Sequence, residues 1–183
     1  LIAVIAVVLI VLAAGGGFLG YRFYRKDQVA QAKAEAEGLR TAKQYDRAIQ
    51  LLETKYAEYP DFADLKTLRD VIKAQSVNER VMKLKDRAQQ ELTDKSYGAA
   101  ARSYAEAEKL LADHGKLPGV EADSTLASRR RKAEDLEQFT RFMDEGRTAE
   151  KARQYDAAER AYREAVKFEA KGSEEAAQAA TRA

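Results

Sequence analysis

An all-α protein carrying an N-terminal membrane span is the fold class this sequence predicts, and three observations point to it. The first twenty residues, Leu1 to Gly20, hold no charged side chain, and every charge falls beyond them. Only 2 prolines and no tryptophan stand among 183 residues, and the remainder is rich in Ala, Glu, Lys, Arg, Gln and Leu, the helix formers. Past Gly20 the apolar residues recur three or four apart, the period of a helix that buries one face.

The span comes first. About 20 residues of helix at 1.5 Å each cover roughly 30 Å, the thickness of a bilayer's hydrocarbon core. Twelve of the twenty are Leu, Ile, Val or Phe. At about −0.3 to −0.6 kcal/mol apiece they favour insertion by roughly 4 to 7 kcal/mol. A cleaved secretory signal has a shorter apolar centre, about 7–15 residues, so a retained anchor is expected. The chain opens on Leu rather than Met, which leads us to expect a preceding piece. Gly16 with Gly20, and Ala13 with Gly17, form small-xxx-small pairs that let a second membrane helix approach closely. Glycine is also common in membrane helices at large, so a solitary span is the competing reading. Directly after the span, Tyr21, Arg22, Phe23, Tyr24, Arg25 and Lys26 read as a bilayer boundary. Rings settle at headgroup level there, and long basic stems reach toward phosphates.

Beyond the boundary, residues 27–41 are rich in alanine and glutamine and contain no proline, so a helical stalk runs on, with Gly38 as its weak point. A net charge of +2 gives no reason to expect nucleic acid as a partner. The absence of cysteine excludes disulfides, thiolate metal sites and cysteine nucleophiles. The single histidine, His114, falls in a turn-like stretch, 112–119, where a solvated side chain is the ordinary reading.

The rest of the chain repeats itself. Three segments align without gaps: Lys43 to Ile49, Lys95 to Ala101, and Arg153 to Glu159. Each sets a tyrosine (Tyr45, Tyr97, Tyr155) three residues before an alanine (Ala48, Ala100, Ala158). Four further on stands Leu52, Tyr104 or Tyr162, and three beyond that Lys55, Ala107 or Ala165. Offsets of 3, 4 and 3 place all four on one helical stripe. Nine residues before each tyrosine a small residue recurs: Ala36, Ala88 and Gly146. Small residues admit a neighbouring helix, and rings fill the space beside them. Polar turns at Lys43-Gln44, Lys95-Ser96 and Arg153-Gln154 separate an upstream helix from a downstream one, so each unit is an antiparallel helix pair.

This order of small residue, polar turn with tyrosine, alanine, large residue and alanine resembles the tetratricopeptide repeat (TPR). Pro60 even closes the first unit where that family commonly has proline. The resemblance covers about 100 residues and is best from Phe142 to Phe168. It departs from the family in spacing, since the tyrosines stand 52 and 58 residues apart, against a repeat of about 34. Lys55 also replaces a small residue. The excess falls in the first helix of each pair: an unbroken helical pattern covers 61–94, and Asp123 or Ser124 is placed to cap a second long helix reaching about Ala152. The expected organisation is therefore a transmembrane helix at 1–20 and a juxtamembrane stalk with the first repeat helix at 21–42. The rest of repeat 1 follows at 43–60, repeat 2 at 61–117, and repeat 3 with a C-terminal helix at 118–183. The resemblance implies a TPR-like α-solenoid of three hairpins with elongated first helices.

Reactive constellations are lacking. Glu106 and Glu108, or Glu174 and Glu175, point in different directions on a helix, and Ser173 before the latter pair reads as a cap. No phosphate loop, zinc-protease helix or nucleophile elbow occurs. Arg129-Arg130-Arg131-Lys132 fan around a helix, and Glu134, Asp135 and Glu137 follow at once, so a neutralised surface is expected. The sequence thus predicts neither an enzyme nor a cofactor, metal, nucleic-acid or small-molecule site. By resemblance it predicts a membrane-anchored scaffold that docks partner proteins or helps assemble a membrane complex. An accessory subunit of a larger membrane assembly, with no groove ligand, is the alternative. Arg22, Arg25 and Lys26 favour cytoplasmic repeats by the positive-inside bias. The architecture also resembles bacterial translocon-associated ancillary proteins of the inner membrane, which implies periplasmic repeats.

Overall fold

The computed structural model describes residues 23–168, and the described residues are helices and connectors throughout, with no strand. Six helices follow one another: α1 over residues 23–41, α2 Tyr45–Glu58, α3 Ala63–Thr93, α4 Tyr97–His114, α5 Leu126–Lys151 and α6 Tyr155–Lys167. The expected span at 1–20 and the expected C-terminal helix after Ser173 lie outside the described residues. Among the described residues no helix is long and apolar enough to cross a membrane.

Two compact units divide these helices. The first comprises residues 23–76 with Leu117–Gly119. Its core is Val29 and Ala36 of α1, Ala48 and Leu52 of α2, and Leu65 and Ile72 of α3. The residues 29, 32 and 36 of α1 are all buried, and their three- and four-residue spacing explains why that face turns inward. Leu52, Leu65 and Ile72 are wholly buried, each contributing about 1.5–3 kcal/mol by leaving water. Asp64 sits in the first turn of α3, where a negative charge offsets the helix dipole. Lys33 of α1 donates to it at 2.6 Å, and that bond holds the Asp64 carboxyl below its ordinary pKa.

The second unit comprises Val77–Lys116 and residues 120–168. Val77, Val81 and Ala88 of α3 meet Tyr104 and Ala107 of α4 and Leu126 of α5. Ala100 and Ala101 of α4 close on Ala133 of α5, and α6 packs along α5. Three alanines at one crossing leave little more than methyl groups between the backbones, with Leu92 packed beside them, so α4 and α5 approach closely.

The start of α5 differs from expectation. Its capping position is Thr125, not Asp123 or Ser124. The Asp123 carboxylate instead accepts from the Thr125 backbone N–H at 2.9 Å and its hydroxyl at 2.6 Å. That local turn, common for aspartate, delays the helix by a residue or two. Lys85 of α3 donates to the same carboxylate at 2.6 Å, and together these donors hold Asp123 well below the usual carboxylate range.

Candidate functional site

The three polar turns are the most regular feature of the molecule. Lys43, Lys95 and Arg153 have φ of 58°, 59° and 60°, the left-handed region. At each turn the next residue's N–H reaches back five residues: Gln44 to Leu39 at 2.8 Å, Ser96 to Glu91 at 2.8 Å, Gln154 to Ala149 at 2.9 Å. The left-handed residue itself bonds three back, Lys43 to Arg40, Lys95 to Leu92, Arg153 to Glu150. This is the Schellman closure of a helix C-terminus, where glycine is the usual occupant. A long cation is strained there by about 1 kcal/mol or more, though its charge suits the negative end of the helix dipole. The following helix then begins at once, with Ala48, Ala100 and Ala158 donating to Gln44, Ser96 and Gln154 at 3.0–3.1 Å.

The stripes after the turns are placed as follows. Ala48, Ala100, Ala107 and Ala165 are wholly buried and Ala158 nearly so. Leu52 and Tyr104 are buried, while Tyr162 is half-buried and donates its hydroxyl to Glu150 at 2.9 Å. Upstream, Ala36 and Ala88 are wholly buried. A Cβ on Gly146 would lie 2.3 Å from the Tyr162 ring, so ring and backbone touch directly. Tyr45 and Tyr97 are half-buried. Tyr155 is different: it is 66 % exposed, and its ring walls a hollow of about 450 Å³ with Arg153, Asp156 and Arg160. A second open hollow, about 500 Å³, borders the same turn between Arg141, Glu145, Thr148, Ala152 and Gln154. Lys55 holds the fourth stripe position of the first unit, paired with Glu58 at 2.8 Å. That bond raises the Lys55 pKa.

At the end of the first unit away from the Lys43 turn stand the expected boundary residues. Phe23 is 71 % exposed and Tyr24 59 %, and Lys26 is exposed. Arg25 does not extend freely from the helix. Its guanidinium bonds Asp61 at 3.2 Å and lies 5.3 Å from the Tyr59 ring centre and 5.7 Å from that of Phe62. The α2–α3 connector thus supplies a carboxylate and two π faces to one cation of α1, an arrangement worth more than an exposed ion pair. Tyr21, Arg22, Ala13, Gly16, Gly17 and Gly20 lie outside the described residues.

Of the basic run on α5, Arg129, Arg131 and Lys132 are exposed. Arg130 donates to Glu108 of α4 at 2.7 Å and to Glu134 at 2.7 Å, and both carboxylates raise its pKa. Sequence reasoning missed the Arg25 cluster, the Lys85–Asp123 pair and the buried Ser103, which donates to Glu91 at 2.7 Å. All three join residues far apart in the chain, and none leaves a periodic trace. Among the described residues no group of three or more His, Asp or Glu side chains is placed to hold a metal ion. No family model, curated protein or solved structure matches the chain.

Proposed function

We propose that this protein is a membrane-anchored, TPR-like helical scaffold that docks partner proteins or helps assemble a membrane complex. The observation that carries the reading is the recurrence, three times, of one turn and one stripe: a left-handed cation, a five-residue-back closure, then an alanine buried between helices. Units that repeat in hydrogen bonding as well as in sequence are what a stacked helical array requires. The uncharged run at 1–20 supports tethering to a membrane, in this reading the bacterial inner membrane with the repeats periplasmic. The exposed ring of Tyr155 beside the two hollows at the third turn offers a contact of large area and small entropy cost.

The second reading is an integral accessory subunit with no groove ligand, favoured by the length of α3 at 31 residues and α5 at 26. Photo-crosslinking from Tyr155 and Arg141 in native membranes separates the two. A docking scaffold gives a partner that free peptide displaces. An accessory subunit gives one fixed complex that peptide leaves intact, and that result would count against docking. Protease accessibility in intact spheroplasts decides the side of the membrane.

A further inference from the structure

The α2–α3 connector gathers two rings, a proline and a carboxylate beside the start of α1. We infer that this connector, Tyr59 to Phe62, is a second bilayer contact, seated at headgroup level beside the stalk and setting the angle at which the first unit leaves the membrane. This inference rests on the anchored reading of residues 1–20 given above.

The placement follows from Arg25. It stands five residues after Gly20, the last residue of the uncharged run. In the anchored reading a helix is expected to join the two, and five residues of helix would rise about 8 Å, where the headgroup layer on each side of the hydrocarbon core is about 5–8 Å deep. Arg25 is fixed to Asp61, Tyr59 and Phe62. A guanidinium bonded across 36 residues of chain therefore holds the connector at the same height on α1 as residue 25. The tight closure at Lys43 explains how: α1 runs out from residue 23, α2 returns antiparallel, and its end comes back to the level where α1 began.

The chemistry of that end suits a lipid interface. Phe23 and Tyr24 are more than half exposed, and Tyr24 lies near enough to Lys55 to raise its pKa slightly, after the larger effect of Glu58. Pro60 and Asp61 are exposed beside the half-buried rings of Tyr59 and Phe62. Rings with a polar rim are what the headgroup layer accommodates. The charges of the two segments nearly balance, with Arg22, Arg25, Lys26 and Lys55 against Asp27, Glu58 and Asp61, a net of +1. Seating therefore depends on the rings and on the tether, and anionic lipid is not required. With one contact, the span and the stalk that continues it could tilt together in the bilayer. With a second contact beside it, tilt is restricted.

The test uses the full chain in phosphatidylcholine vesicles with nitroxide-labelled lipids. The native chain has no tryptophan, so each introduced tryptophan reports alone. Pro60→Trp is the probe, Gln44→Trp at the opposite end of α1 is its reference, and Leu9→Trp reports on the span. Headgroup-labelled lipid is expected to quench Pro60→Trp at least about twofold more than Gln44→Trp, which lies some 24 Å farther along α1. Leu9→Trp is expected to respond to mid-chain labels. Equal quenching at 60 and 44 with Leu9→Trp quenched overturns the connector contact and leaves the anchor standing. An unquenched Leu9→Trp overturns the anchor, and the connector contact with it. Circular dichroism checks folding, and Tyr59→Trp, which keeps a ring for Arg25, replaces Pro60→Trp should that variant not fold.

Discussion

Two glycines in helix interiors are predicted to respond to the same substitution with opposite sign. Gly38 in α1 has nothing within 4 Å of where a Cβ would sit. Gly38→Ala therefore acts through helix propensity alone and stabilises by about 0.5–1 kcal/mol. At Gly146 in α5 the added methyl would meet Cε1, Cδ1 and Cζ of Tyr162 at 2.3, 2.6 and 2.8 Å. These atoms belong to a rigid ring, so the whole side chain must swing aside. Overpacking of this kind costs about 1–3 kcal/mol. Losing the Tyr162 hydroxyl bond to Glu150 adds about 1 kcal/mol. Against a propensity gain of about 1 kcal/mol, the net effect of Gly146→Ala is a loss of about 1–3 kcal/mol. Urea unfolding of the full chain in detergent, followed by circular dichroism, measures both variants. In a Tyr162→Ala background, where the ring is gone, Gly146→Ala is expected to become neutral or stabilising. A Gly146→Ala protein as stable as Gly38→Ala, with Tyr162 intact, would falsify the claim that ring and backbone are in contact.

Further outcomes are expected from the turns and the ion clusters. Lys43→Gly removes left-handed strain and should raise stability by about 0.5–1 kcal/mol, and thermal melts should show Lys95→Gly and Arg153→Gly behaving alike if the turns are equivalent. Arg25→Ala should cost about 1–2 kcal/mol by the loss of two ring faces and a carboxylate partner, with Arg25→Lys restoring only part, because an ammonium lacks the planar fork. The depressed pKa of Asp123 means that the folded state binds its proton less readily than the unfolded chain does. Its stabilisation is therefore present above about pH 4 and lost as the pH falls below that value. Asp123→Asn should lower stability by about 1–2 kcal/mol at pH 7. It should also flatten the acid branch of a stability–pH curve, and an unchanged acid branch argues that Asp123 titrates alike in both states.

Much of the local order was legible because it depends on neighbours in the chain. A proline- and glycine-free stretch with apolar residues three and four apart favours a helix that buries one face, so the pattern at 61–94 corresponds to α3 at Ala63–Thr93. Polar dipeptides between such stretches mark the turns, and the small residues at 36, 48, 88 and 100 lie where helices meet. Sequence could not show that the turn cations are left-handed, since glycine is the residue expected there. Nor could it show that Asp123 bonds forward and so displaces the start of α5.

Composition and periodicity alone determined that residues 23–168 are helical, because backbone hydrogen bonds and the burial of one face act within a few residues. They also placed the turns and the small residues of each stripe. Only the tertiary structure decided which cations are spent on internal partners and which rings stay in solvent. Arg25 and Lys26 are adjacent and alike in sequence, yet one is clasped by Asp61, Tyr59 and Phe62 while the other is exposed. Tyr45, Tyr97 and Tyr155 share one motif, yet only the last is mostly open to water. The physical reason is that such contacts join residues tens of positions apart, and their partners are chosen by how helices fold back on one another.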